Sequence, residues 1–298
     1  MTLADTLADL STAEIVSALG VGPRRRRFVS IVARIPSARL GRSLARFDAR
    51  VGEAGIARAA AETLERFGAR IEVEGSLSPD ASAALVVTNH PGAYDALATM
   101  AALGRDDLSF VAADRAFLRA LPNVREHLVF ADEGSARVRA AAVRRALSLL
   151  RSGGVVVQYG AGEIEPDARF DEGSCLAEWS DGTGLLAARA SAMGARVIPV
   201  FVSGVHSARA KRLPFVRWAE RRGTTTIAPL VQATLPGFRD VVVRVRIGAP
   251  IERAVLEAAP SHAARAALVR EAVAALGLDR DRDRKRSLGT SPGEISAR

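Results

Sequence analysis

A chain of 298 residues, 48% hydrophobic and 25% charged, holds enough apolar material for one large core, and no apolar run in it is long enough to cross a membrane. Its single cysteine, Cys175, excludes an intrachain disulfide and argues against a cysteine-based metal cluster. The formal net charge of +9 points to an anionic partner: nucleic acid, an acidic membrane surface or a phosphorylated cofactor.

Residues 1–70 read as helical, rich in Ala, Leu, Arg and Glu and poor in β-branched residues. The opening stretch carries acids and lacks a basic n-region, so a cytoplasmic protein without a secretory signal is expected. The run Arg24, Arg25, Arg26, Arg27 leads into Phe28, Ile31, Val32 and Ile35 at helical spacing, and Pro36 is expected to interrupt the helix. After it Leu40, Leu44, Phe47 and Val51 form one stripe, beside Arg39, Arg42, Arg46 and Arg50. A basic amphipathic helix of this kind can lie on an anionic bilayer; the same pattern suits a helix packed on a core with its arginines in water, and the sequence leaves both open.

From 71 to 255 short β-rich runs alternate with helical ones, which predicts an α/β layer fold: a largely parallel or mixed sheet flanked by helices, behind the N-terminal helical segment. Strands are expected at 84–88, 108–112, 127–130, 155–159, 196–202 and 241–247, and helices near 95–103, 136–150 and 184–193. Val155-Val156-Val157 and Val197-Ile198-Pro199-Val200 do not alternate, as suits central strands covered on both faces. A last helix is expected over 256–278, and the charged tail 279–298 is read as disordered.

Of four histidines, His127 and His262 read as structural or solvated, and His206 sits on a rim without a visible partner. His90 differs. It follows a buried strand and precedes a helix in Thr88-Asn89-His90-Pro91-Gly92-Ala93-Tyr94-Asp95, and ligands of open α/β sheets bind at the carboxyl ends of strands. On one regular helix His90 and Asp95 would point about 140° apart. Pro91 keeps His90 out of the helix and Gly92 permits a turn, so Asp95 can accept a hydrogen bond from the imidazole and orient it as a general base. Taken alone the pair suits a helix cap equally well.

Three ordered blocks add to the pair. Asn89, His90 and Asp95 match an Asn-His-x-x-x-x-Asp block. Tyr159-Gly160-Ala161-Gly162-Glu163 follows a strand, as does a Phe-Pro-x-Gly block, and Val197-Ile198-Pro199-Val200 matches a closing Val-Ile-Pro-Val block. Over about Ile71 to Pro250 the chain therefore resembles the glycerophospholipid, or lysophosphatidic-acid-acyltransferase-like, acyltransferase family. The resemblance implies O-acyl transfer from acyl-CoA or acyl-carrier protein to a hydroxyl of a lysolipid or other lipid-like acceptor. His90 would be the base and Asp95 its orienting partner, without metal or redox cofactor, at the cytoplasmic face of an anionic membrane. It places Asn89, Gly92, Tyr94, Arg115, Glu133, Tyr159, Gly160, Ala161, Gly162, Glu163 and Pro199 among the substrate-binding candidates.

The departures from the family pattern are specific. Where phosphate-binding members carry Phe-Pro-Glu-Gly-Thr-Arg-Ser, this chain has Ala161, Glu163 and Ile164 on the Glu, Thr and Arg positions, closer to the variant Phe-Pro-Ala-Gly-Glu. Glu133 stands where Phe-Ile-Asp-Arg would place an arginine. Carboxylates repel phosphate, so Glu133, Glu163 and Glu165 suit a neutral, amine-bearing or glycosylated acceptor, unless they are solvated and Arg115, Arg119 or Arg125 holds a phosphate. Backbone N–H groups of Gly160, Ala161 and Gly162 are candidate oxyanion donors. The competing class is a non-catalytic basic lipid-binding protein. A nucleic-acid platform is not expected, with only 5% aromatic residues.

Overall fold

The computed structural model describes residues 1–18, 23–78, 83–92, 94–132, 134–170, 176–222, 227–238 and 241–289. Three helices come first: α1 (Leu3–Ala18), α2 (Pro23–Ala54) and α3 (Ile56–Arg66). Then follow β1 (Arg70–Glu74), β2 (Ala84–Thr88), α4 (Asp95–Leu103), β3 (Leu108–Ala113), α5 (Ala116–Arg119), β4 (Leu128–Ala131), α6 (Ala136–Arg151) and β5 (Val155–Tyr159). The chain continues through α7 (Asp181–Ala192), β6 (Arg196–Ser203), α8 (Ala208–Lys211), α9 (Pro214–Glu220), α10 (Ile227–Thr234), β7 (Val242–Ile247), α11 (Arg253–Ala258) and α12 (His262–Gly289).

Among the described residues the strands form one mixed sheet in the order β1-β7-β6-β2-β5-β3-β4, parallel throughout except for the antiparallel β6–β7 pair. The expected α/β fold is the one observed. Every residue of β2 is buried, as an apolar run without alternation requires of a strand covered on both faces. Val86, Val157 and Val200 pack into one core layer with Phe47, Val51 and Leu64 of α2 and α3. Leu85, Val87 and Val156 pack into the other with Leu186 of α7 and Val269 and Val273 of α12. Removing a side chain such as Leu85 to the β-carbon would cost roughly 2–5 kcal/mol.

The N-terminal helices share that first core layer, so no separate core divides 1–70 from 71–255. Asp48 of α2 is buried and accepts hydrogen bonds from the backbone N–H groups of Asn123 and Val124, each at 2.9 Å, which ties α2 to the loop before β4. The break expected at Pro36 does not occur: α2 passes through it. An interior proline removes a hydrogen bond and crowds the preceding turn, a penalty of about 3 kcal/mol. Close packing of α1 opposes it. A β-carbon on Gly41 would lie 2.6 Å from the Ala4 carbonyl, so the two backbones nearly touch there.

Two further departures have simple causes. The strand β1 was not among those expected, because Arg-Ile-Glu-Val-Glu is a largely exposed edge whose carboxylates pair with arginines of β7, Glu72 with Arg244 at 2.6 Å. The segment expected to be disordered from 279 begins inside a helix, since α12 continues to Gly289, and 290–298 lie outside the described residues.

Candidate active site

The strands β2 and β5 end level with one another, and β6 between β2 and β7 runs three residues further. Thr88 lies opposite both Tyr159 and Val200 in register, so the segments that follow these three strands meet at one place. That is the carboxyl edge of the sheet, where side chains from separate loops converge.

The turn after β2 begins with Asn89. It is fully buried, and its amide exchanges two hydrogen bonds with the Val202 backbone of β6, at 2.7 and 2.8 Å. Gly92 turns the chain at φ 81°, a left-handed conformation that costs glycine nothing. His90 is thereby folded back onto Asp95, and its Nδ1 lies 2.6 Å from the Asp95 carboxylate. The same oxygen accepts the Gly92 N–H at 2.8 Å. Asp95 is 2% exposed, so this acceptor is held away from water. With Nδ1–H donated to a carboxylate, Nε2 carries the lone pair. Nε2 makes no hydrogen bond among the described residues, and the side chain remains 27% exposed. The imidazole thus has one nitrogen held by a carboxylate and the other open. Burial opposes its charged form, but the Asp95 charge and hydrogen bond and the Glu165 charge outweigh burial and raise the His90 pKa above 6.5.

A second carboxylate holds the backbone of this turn. Glu165 is 2% exposed and accepts the His90 N–H at 2.9 Å, the Ala177 N–H at 2.9 Å and the Trp179 indole N–H at 3.1 Å. Its own N–H donates to the His90 carbonyl at 2.8 Å. Burial raises its pKa, and these bonds work against that rise. Glu165 is therefore not turned toward an acceptor, which corrects the role expected for it. Tyr159 lays its ring against the imidazole, centroids 4.2 Å apart, with its hydroxyl buried and unpartnered. Burial, then the Asp95 charge, pushes that phenol well above its usual pKa.

Several of the expected substrate-binding residues are engaged within the fold. Asn89 has no exposed surface. Tyr94 points into the core, stacked 5.5 Å from Phe67, with its hydroxyl donating to the Gln232 carbonyl at 3.3 Å. Pro199 lies within β6, one residue before the β7 ladder, with its carbonyl accepting the Gly248 N–H at 2.9 Å. Gly160 is a seat for Trp179, whose ring occupies the space a β-carbon would take. Of the three expected oxyanion donors, Gly160 gives its N–H to Thr88 at 2.9 Å and Gly162 gives its own to Tyr159 at 3.2 Å, which leaves Ala161. Glu163 and Gly162 are exposed beside the site, Arg115 is exposed just past the carboxyl end of β3, and Glu133 lies outside the described residues. Arg119 is committed to Asp114 and to the face of Phe130, 4.5 Å away.

His206 has the partner that the sequence does not reveal. Its ring is buried, neither ring nitrogen has a hydrogen bond among the described residues, and Nδ1 lies 3.9 Å from Asp167. Asp167 is fully buried and accepts the backbone N–H groups of Gly204 at 2.8 Å and His206 at 3.1 Å. Burial lowers the His206 pKa, aided by Lys211 and opposed by Asp167 and Asp95. Glu165 and Asp167 follow the glycine block directly, but only their burial sets them apart from solvated loop acids.

Residues 70–203 match the family model described as Acyltransferase. This stretch is an acyltransferase domain. The family expected from the three motif blocks is the one found, and the match closes at Ser203, before the 250 at which the resemblance was placed. Among solved structures the chain is similar to the 1-acyl-sn-glycerophosphate (LPA) acyltransferase PlsC from Thermotoga maritima, with 18% identity over 81% of each chain and a TM-score of 0.49. No curated protein matches the sequence. The His90–Asp95 pair and the Glu165 anchor both lie inside the acyltransferase domain.

Proposed function

We propose that this acyltransferase moves a fatty acyl group from a thioester donor, acyl-CoA or acyl-carrier protein, to a hydroxyl of a lysolipid, with His90 as general base. The observation that carries the reading is the 2.6 Å Nδ1 contact to Asp95, which leaves Nε2 open at the carboxyl edge of the sheet. Nε2 takes the proton of the acceptor hydroxyl as the oxygen attacks the thioester carbon. The tetrahedral intermediate then expels the thiolate, which receives the proton from the imidazolium. Asp95 is a positioning residue that keeps the tautomer and stabilises the imidazolium. The Ala161 N–H is the oxyanion donor still available in the glycine turn.

The membrane half of the reading rests on α2. No helix among the described residues is long and apolar enough to cross a membrane. Phe47 and Val51 of the second stripe face the core, whereas Ile31, Val32 and Ile35 of the first are 59%, 58% and 68% exposed beside exposed Arg27 and Arg34. Apolar residues left in water beside arginines suit docking on an anionic bilayer. With Glu165 buried and Glu133 undescribed, Glu163 alone supports an acceptor without phosphate, so the acceptor class here is the lysolipid as such.

The test is acceptor-dependent thiol release from palmitoyl-CoA and palmitoyl-acyl-carrier protein, across lysolipids with and without a phosphate, by wild type and His90→Ala. The reading expects release that the substitution abolishes. Release that survives in His90→Ala at the wild-type rate would overturn it.

A further inference from the structure

Residues beyond 203 lie outside the family match, yet α8, α9 and α10 hang directly from the site. Gln232 of α10 accepts the Ser207 N–H at 2.8 Å and donates to the Val205 carbonyl at 2.6 Å. Its own carbonyl accepts the hydroxyl of Tyr94, inside the His90–Asp95 turn. The insert has a small core of its own: Ala210, Val216, Ala219, Ile227, Ala228 and Val231. It is therefore a firm appendage tied to the loop that carries the base.

The helix α9 directs Val216 and Ala219 into that core. Its other face carries Phe215 and Trp218, three residues apart and 53% and 52% exposed. Large aromatic surfaces in water are unfavourable unless something covers them. The flanking charge indicates what does. Between 208 and 222 stand Arg209, Lys211, Arg212, Arg217, Arg221 and Arg222 against one acid, Glu220. That excess is more than half of the net +9 of the whole chain. Arg222 lies over the Trp218 ring at 4.1 Å, so one cation sits directly on the aromatic surface. Aromatics ringed by arginines match the boundary of an anionic bilayer, where the rings enter the acyl region and the guanidinium groups meet phosphates.

We propose that α9 is a second membrane contact, separate from α2, which seats Phe215 and Trp218 in the interface of an anionic bilayer. It rests on the acyl-transfer reading only in supposing that the acceptor is drawn from the bilayer. Its consequence is orientation. A contact on α2 alone leaves the protein free to tilt about one helix, whereas a second contact tied to the His90 turn holds the active-site edge toward the lipid.

Vesicle binding by the full chain tests this without any turnover. The chain has two tryptophans, and Trp179 is buried. Vesicles of phosphatidylcholine with about one third brominated phosphatidylglycerol should quench the wild-type emission through Trp218, and Trp218→Phe should remove that quenching. The double variant Phe215→Ser/Trp218→Ser should partition into anionic vesicles at least about tenfold more weakly than wild type, with an unchanged circular-dichroism melt. Its thiol release with a water-soluble short-chain acceptor should equal that of wild type; absence of release in both proteins would count against the acyl-transfer reading and leave the partition result standing. Three outcomes overturn the proposal: wild-type partition in the double variant, binding of Trp218 to single-stranded RNA in preference to the vesicles, or a concentration-dependent dimer that the double variant abolishes.

Discussion

The turn after β2 and the outer faces of α2 and α9 treat their side chains in opposite ways. In the turn, freedom is removed. Asn89 is paired at both amide atoms with β6, His90 is held at its N–H and carbonyl by Glu165, and one oxygen of Asp95 takes two bonds. On the two helices, apolar surface is left unmet: Ile31, Val32 and Ile35 on one, Phe215 and Trp218 on the other. Proton transfer needs a base placed to within a fraction of an ångström, which only buried, fully bonded neighbours supply. Docking on lipid needs area and charge and tolerates loose geometry. The two duties proposed for them rest on different residues, so mutation should separate them.

The largest effect is expected at the base. His90→Ala should lower kcat by roughly 10³-fold or more while leaving vesicle partition unchanged, because the proposed general base is lost and neither helix proposed to dock is touched. If partition fell as well, the separation of duties would fail. Asp95→Asn comes next, at roughly 10²-fold in kcat. Its signature is a pH profile. The base works only when neutral, so kcat/KM in the wild type should rise through a pKa above 6.5. In the variant the Asp95 charge is gone while burial and the Glu165 charge remain, so the acid limb should move to lower pH than in the wild type. By the same sign, the raised pKa favours the fold below pH 6.5, and that contribution is lost as pH climbs through the raised value.

Glu165→Gln should cost about tenfold in kcat with little change in KM, and should lower the melting temperature. An amide offers fewer lone pairs to the N–H groups of His90, Ala177 and Trp179, and an unsatisfied buried donor costs about 1–3 kcal/mol. An unchanged melt with unchanged kcat would show that the turn needs no such anchor. The smallest effect on chemistry is expected from Ile31→Ser/Ile35→Ser. Turnover on a dispersed short-chain acceptor should stay at the wild-type level while partition into anionic vesicles falls several-fold, read by co-sedimentation. A drop in dispersed-substrate turnover would make α2 part of the site.

The elements with the plainest periodicity were legible in the chain. β2, β5 and α4 begin and end where their apolar runs do, and His90 and Asp95 stand out because a strand end, a proline and a glycine surround them. Edge features were harder. β1 is half charged and pairs through Arg244 and Glu72, so its pattern resembles a solvated loop. α8 to α10 bury only small clusters and leave no long stripe. The surroundings of Tyr94, Pro199 and Gly160 were not legible, for one reason. Proximity to a motif in sequence does not say what a residue packs against: Tyr94 stacks on Phe67, the Pro199 carbonyl accepts the Gly248 N–H, and the Trp179 ring covers Gly160.

By itself the sequence determined the α/β alternation, the centre of the sheet, the family and the dyad, because each is written within a few consecutive residues: local apolar period, turn chemistry, a base and an acid five apart. Only the tertiary structure decided what surrounds the dyad. Glu165 lies 75 residues from His90, Val202 lies 113 from Asn89, and Asp167 lies 39 from His206. Contacts over such distances depend on strand order and register, which no local pattern encodes. The same holds for exposure. The stripes of α2 look alike in sequence, and packing against α3 and the sheet buries Phe47 and Val51, while Ile31, Val32 and Ile35 stay exposed among the described residues.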